Sequence, residues 1–279
     1  MKKSIKVFFG RGLLIKISVV VVLCVILMAI FAPVLSPCDP NEGDLLRKNQ
    51  PASSEHLLGT DYQGRDVLSR IFYGARISLV VSLLSGGVAA VTGILLGLIS
   101  GYFGKIVNSV IMRVTDAVLA IPNLIFTLVL TTALGGTIPS LVFAIGLSMV
   151  PTYIRMVNSQ VLTLRESDFI SAGKLIGLKD MAILLRHLLP NCFPSLIVLF
   201  TMNIGSSILL ESSLSYLGQG IAPPTASWGS MVSDGYPYLT THPMLSILPG
   251  IMIILTVVAF NFVGDGLRDS LDPRLKGKL

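Results

Sequence analysis

Cysteine, histidine and acidic side chains are the groups from which a chain builds metal sites, nucleophiles and proton relays, and here they are scattered. Cys24, Cys38 and Cys192 form no CxxC pair and show no metal-ligand spacing, so neither a disulfide framework nor a zinc site is predicted. His56, His187 and His242 are each isolated, and none belongs to an HExxH or comparable cluster; a lone histidine reads as an interfacial or capping residue. Glu211 is different. It is the one carboxylate well inside an interior apolar run, where a charge is costly enough to mark a candidate for function. With Asn203, Ser206, Ser207 and Ser215 it could form a polar stripe facing a water-filled path; alternatively it lies near a helix end and hydrogen-bonds a neighbouring loop. Nucleotide hydrolysis is excluded, because Gly104-Lys105, Gly173-Lys174 and Gly277-Lys278 all lack the upstream glycine and the following Ser or Thr of a phosphate-cradling GxxxxGK[ST] loop. No catalytic residue and no bound cofactor are predicted.

These groups sit in a chain whose balance suits lipid. Of 279 residues 52% are hydrophobic and 13% charged, whereas a soluble domain has about a quarter of its residues charged. Six crossings of about 20 residues would use roughly 120 residues, which leaves too little polar chain for a separate catalytic domain. Twenty-six glycines and 15 prolines fit packed, interrupted membrane helices. The net charge of +6 falls between apolar runs and at the ends, with no basic face interleaved with stacking aromatics, so membrane lipid rather than nucleic acid is the expected partner.

The apolar run from about Leu13 to Leu35 is too long for a cleavable signal and reads as a retained anchor. Later runs cover roughly Leu79 to Ser100, Val118 to Leu134, Ile138 to Val157, Phe193 to Tyr216 and Leu245 to Val263, giving six spans with both termini on one side. That side would hold 16 of the 21 basic residues, among them Lys2, Lys3, Arg155, Lys174, Arg274 and Lys278. The other keeps Arg47, Lys48, Arg65, Arg70 and Arg76 beside six acidic residues. Positive charge collects inside, so N-terminus and C-terminus are predicted cytoplasmic. Three parts follow: residues 1–76 as anchor plus extracytoplasmic segment, 77–268 as a core of five spans, and 269–279 as a cytoplasmic tail.

Two segments exceed what connectors need. In Ser36 to Ile77 a helical pattern begins at Gly64, and Arg65, Arg70 and Arg76 interrupt its apolar set; a helix on the membrane surface is expected, with Asp66 four residues before Arg70. In Asn158 to Pro190, Ser167 or Asp168 can cap a helix whose Phe169, Ala172 and Ile176 share a face and which ends at Gly177. Asp180 can cap a second helix carrying Ile183, Leu184 and Leu188 and stopping at Pro190. The exposed apolar side of this turn either packs on its own helix ends or seeks a groove on another subunit. Within the spans, Gly93, Gly97 and Gly101 recur every four residues and would admit a close neighbour. Pro122 and Pro151 are expected to kink their helices, Asp116 to sit favourably at a helix start, and Trp228 to anchor at the membrane interface.

The residues Phe169-Ile-Ser-Ala-Gly-Lys-Leu-Ile-Gly177, followed by His187-Leu-Leu-Pro190-Asn191, resemble the EAA loop of binding-protein-dependent ABC importer permeases. Ser171 stands where that family usually has glutamate and Gly173 where a second alanine is common. Leu58-Gly-Thr-Asp61-Tyr-Gln-Gly64-Arg65-Asp66, Glu211-Ser-Ser-Leu-Ser-Tyr-Leu-Gly218, Pro223-Pro224 with Trp228-Gly229, and Gly264-Asp265-Gly-Leu-Arg268-Asp269 with Asp272-Pro273 resemble the second permease subunit of peptide and nickel importers. The resemblance implies an all-α membrane protein of six transmembrane helices, the type I importer permease fold, with a cytoplasmic coupling loop in which Phe169, Ala172, Gly173, Ile176, Gly177, Asp180, His187 and Pro190 meet an ATPase. Asn203, Ser206, Ser207 and Glu211 are the candidate path. It implies as partners a second, homologous permease subunit, two ATPase subunits carrying ATP and magnesium, and an extracytoplasmic substrate-binding protein. Peptide is the expected cargo and a nickel or metal chelate the alternative; from another class, a proton-coupled secondary transporter would need more midplane ionisable groups than Glu211 alone.

Overall fold

The computed structural model describes residues 12–271, and among these the extended pairings are two isolated bridges, Gly43 with Arg65 and Thr60 with Asp66. The helices are α1 (Leu13–Leu35), α2 (Val67–Phe103), α3 (Lys105–Leu119), α4 (Asn123–Ala133), α5 (Ile138–Leu164), α6 (Asp168–Leu175), α7 (Asp180–Tyr216), α8 (Trp228–Gly235) and α9 (Met244–Leu271). Five of them, α1, α2, α5, α7 and α9, are long and apolar enough to cross a membrane. The basic residues expected at both termini lie largely outside the described residues, as does Asp272-Pro273.

Glycine spacing sets the central packing. A Cβ added at Gly93, Gly97 or Gly101 would lie 2.3, 2.6 and 2.7 Å from the Cβ atoms of Tyr153, Val157 and Val161. Each pair is 60 residues apart, so α2 and α5 run parallel in constant register at backbone contact. Val88 fills the same role toward Gly146 in reverse, and Asn158 Nδ2 donates to Ser100 Oγ at 2.7 Å inside the seam. Around it Ile145, Tyr153 and Val157 of α5 form one core with Ile183, Leu188 and Cys192 of α7. A second core joins α1 (Val25, Ala29) to α2, α7 and α9.

Parallel neighbours require the intervening chain to return to the starting level. With that register, Ile138 stands level with a residue near 78 of α2, so residues 104–137 must climb about 35 Å at 1.5 Å per residue of helix, enough to cross a hydrocarbon core. They do so in two pieces. Gly104, at φ 59°, separates α2 from α3, and α3 meets α4 at 93° across the break before Asn123. The predicted continuous span over 118–134 is therefore a broken one, because Pro122 has no N–H to continue the ladder and fixes its own φ at the bend. Pro151, by contrast, lies within an unbroken α5.

The surface helix expected from residue 64 is corrected. Asp66 caps α2 by accepting from Ser69 N at 2.8 Å, and the helix then runs unbroken to Phe103. Its 37 residues reach about 55 Å, longer than a hydrocarbon core of about 30 Å requires, and residues 67–76 belong to this one helix rather than to a separate surface helix. Arg65 and Arg70 are buried there, not solvated: Arg65 Nε lies 2.6 Å from Asp61 Oδ2, Arg65 Nη2 3.3 Å from Asp234 Oδ2, and Arg70 Nη1 donates to the carbonyls of Pro40 and Pro224. Asp66 pairs with His56 rather than Arg70. Burial pushes the Asp234 carboxyl above its ordinary value, against the pull of Arg65 and Arg70.

Two further expectations change. Trp228 is fully buried, its Nε1 donating to Ile71 O at 3.1 Å and its ring lying over Gly74, so it locks α8 to α2 instead of anchoring at an interface. Asp116 occupies the last turn of α3, where the helix dipole disfavours an acid; Arg155 of α5 holds it at 2.6 Å.

Candidate functional site

The turn between α5 and α7 is built by local rules. Ser167 precedes α6, and its hydroxyl bonds back to Leu164 O rather than capping forward. Gly177 ends the helix at φ +79°, where a side chain would be strained, with Gly177 N donating to Lys174 O and Leu178 N to Gly173 O at 3.0 Å each. Ile170 is buried, whereas Phe169, Leu175 and Ile176 are 45, 88 and 77% exposed and Ala172 is exposed beside them. The face predicted from Phe169, Ala172 and Ile176 is thus present and uncovered.

The remaining loop residues fasten this face to the bundle. Asp180 does not cap: it accepts from Tyr102 OH of α2 at 2.5 Å, and Lys174 Nζ lies 5.3 Å over the same ring. Arg165 Nη1 donates to Gly101 O at 3.2 Å. Gly173 is buried against Leu178. The helix predicted to stop at Pro190 does not stop. A π-helical turn over Ile183–Leu188 absorbs the irregularity of the ladder before Pro190, and α7 continues to Tyr216. His187 lies within that turn, its carbonyl accepting from Asn191 Nδ2 at 2.6 Å, and Pro190 is exposed. The loop is thus tied to α2 by the Tyr102–Asp180 and Arg165–Gly101 hydrogen bonds and joins α5 to α7.

A cavity of about 330 Å³ opens where α3 breaks from α4, lined by Pro122, Asn123 and Phe126, by Ser148 and Thr152 of α5, and by Asn203 and Ser206 of α7. The α5 and α7 residues sit near the middle of their spans. The lining contains no charged side chain, and the hydrogen-bonding groups it offers are neutral amides and hydroxyls. On the α6 side, a second cavity of about 530 Å³ is lined by Gln160 of α5, Asn191 and Ser195 of α7 and Arg268 of α9. Broken helices are tolerated at membrane depth where they line such a space.

The predicted stripe divides at this point. Asn203 and Ser206 reach the cavity, but Ser207 is buried with its hydroxyl 3.2 Å from Met149 Sδ. Glu211 is fully buried one turn further on: Ser78 Oγ of α2 donates to its Oε2 at 3.1 Å and Ser215 Oγ to its Oε1 at 2.7 Å. Ser227, in the loop before α8, extends the network through Ser215. The carboxylate joins α2 to α7, and the loop before α8 reaches it through Ser215. Sequence reasoning missed Asn123, Ser148 and Thr152; the last two, four residues apart in an apolar run, carried a detectable signal. It also treated His56 and Cys38 as isolated, whereas folding places them beside Asp66, within one group whose ligand atoms lie within 4.8 Å of one another.

Residues 93–277 match the family described as binding-protein-dependent transport system inner membrane component, and residues 14–52 match the N-terminal TM domain of oligopeptide transport permease C. Among curated relatives, the chain is 39% identical to the dipeptide transport system permease protein of Alkalihalophilus pseudofirmus, over 93% of this chain and 86% of the other. It is 36% identical to the oligopeptide transport system permease protein of Bacillus subtilis, over 96 and 88%. To the glutathione transport system permease protein of Pectobacterium atrosepticum it is 39% identical, over 91 and 85%.

Proposed function

The chain belongs to the family of binding-protein-dependent transport system inner membrane components, and from that premise we propose that it is the permease subunit of an ATP-driven importer of peptides. Its relatives are named for the transport of dipeptide, oligopeptide and glutathione. An uncharged, largely apolar lining that carries amides and hydroxyls suits that class, because peptide bonds offer donors and acceptors throughout while side chains vary. In this reading ATP and magnesium sit on two separate ATPase subunits, a second permease subunit completes the pathway, and an extracytoplasmic protein delivers the peptide. Both termini and α6 face the cytoplasm, in keeping with the distribution of Lys and Arg.

The observation that carries the reading is the uncovered apolar face of α6, since Leu175 and Ile176 lie exposed at the end of a short helix whose two flanks are hydrogen-bonded to α2. Such a face is completed by a groove on a partner. Because α6 links α5 to α7, and those helices line both cavities, displacement of α6 by a closing ATPase pair would change the separation of the cavity walls. The direct test is uptake of labelled dipeptide by vesicles holding the assembled transporter. Dipeptide accumulation that requires ATP supports the proposal; accumulation of nickel alone, or of peptide without nucleotide under a proton gradient, contradicts it.

A further inference from the structure

Before α2, three chain segments converge on one point. Cys38 follows α1, His56 lies in the loop between, and Asp66 caps α2; their ligand atoms lie within 4.8 Å of one another. We propose that Cys38, His56 and Asp66 bind a zinc-class divalent cation that staples the α1–α2 segment to the head of α2.

Asp66 is held through its side chain, and Cys38 and His56 through the backbone that carries them; a bound cation would replace the His56–Asp66 contact. Asp66 spends Oδ2 on Ser69 N at 2.8 Å, which leaves Oδ1 turned to His56 Nδ1 at 3.0 Å. Its side chain is fully buried, and that of His56 is 12% exposed. His56 N donates to Ser53 Oγ, and its carbonyl accepts from Ser53 N and Gly59 N. Cys38 N donates to the hydroxyl of Ser69, the residue whose own amide fixes Asp66. Neighbours that fix a ligand's orientation typically raise metal affinity.

The donor set selects the ion. One sulfur, one imidazole nitrogen and one carboxylate oxygen suit borderline zinc, while calcium and magnesium take oxygen shells. Zinc bonds of 2.0–2.3 Å place tetrahedral ligands about 3.3–3.8 Å apart, so the group needs to contract by roughly 1 Å. Cys38 would bind as thiolate, its proton passing to solvent, and water would fill the fourth position. The staple has a physical use: the segment between α1 and α2 has helical structure only at Leu45–Arg47, and a metal supplies ordering that a small core cannot.

The test uses the full-length chain in nanodiscs. Zinc alone, titrated against a chromophoric chelator, is expected to bind at one equivalent, and Cys38→Ser or His56→Ala to weaken binding at least about tenfold. Asp66→Asn, which retains a good capping residue, is expected to do the same. Cys24→Ser should bind like wild type. Cobalt should give a thiolate-to-metal charge-transfer band in the wild-type chain that Cys38→Ser lacks, a readout that survives if another variant misfolds. Absence of saturable zinc uptake, a wild-type cobalt spectrum without that band, or unchanged binding in Cys38→Ser would overturn the proposal. Peptide uptake is a separate readout, so failure here would leave the transport reading standing.

Discussion

At the residue scale, the buried polar groups divide by what their loss would orphan. Asp61 is 9% exposed and neutralises Arg65, 2% exposed, while also accepting from the backbone of Gln63 and Arg65. Asp61→Asn would leave buried guanidinium charge under-compensated and is expected to cost about 3–5 kcal/mol in thermal or denaturant unfolding. The exposed Arg47–Glu55 pair, at 47 and 69%, is the control: Arg47→Ala should cost under about 1 kcal/mol. Glu211 makes a sharper test, because its partners are hydroxyls that can reverse their donor and acceptor roles. Glu211→Gln should therefore fold and transport, whereas Glu211→Leu strands Ser78 and Ser215 and should lower stability by about 1–3 kcal/mol. If Glu211→Gln abolished uptake without loss of stability, the carboxylate would have a role beyond packing.

Helices are where spacing in the sequence was most informative. Gly93, Gly97 and Gly101 declared a close neighbour through a period that any helix translates into a face, and Phe169, Ala172 and Ile176 did the same for α6. Gly97→Leu is expected to separate α2 from α5 and cost about 1–3 kcal/mol or more, with Gly97→Ala partly rescued by Val157→Gly, since the clash is between Cβ atoms. A melting temperature unmoved by Gly97→Leu would contradict that seam. What stayed hidden was geometry that period alone does not encode. Pro122 announced a bend but not its 93°, and Pro190 announced an end that the π-helical turn over Ile183–Leu188 removed. Asp234 meets Arg65 across 169 residues and Cys38 meets Asp66 across a loop, so neither grouping has a local signature.

At the scale of the whole molecule, parallel α2 and α5 form a fixed spine, and the broken α3–α4 pair and α7 leave a neutral cavity beside it. Filling that cavity should separate passage from assembly: Ser206→Phe is expected to reduce peptide uptake at least about tenfold while the purified complex still stimulates ATP hydrolysis. Full uptake in that variant would place the path elsewhere. Transmission through α6 of work done by a separate ATPase can be read out at Ile176. Cysteine placed at Ile176, which is 77% exposed, would be paired with cysteines in the ATP-binding subunit and cross-linked in vesicles. A cross-link is expected to form in high yield and to stop ATP-dependent peptide uptake until it is reduced. No cross-link at any partner position, together with normal uptake by Ile176→Asp, would contradict it.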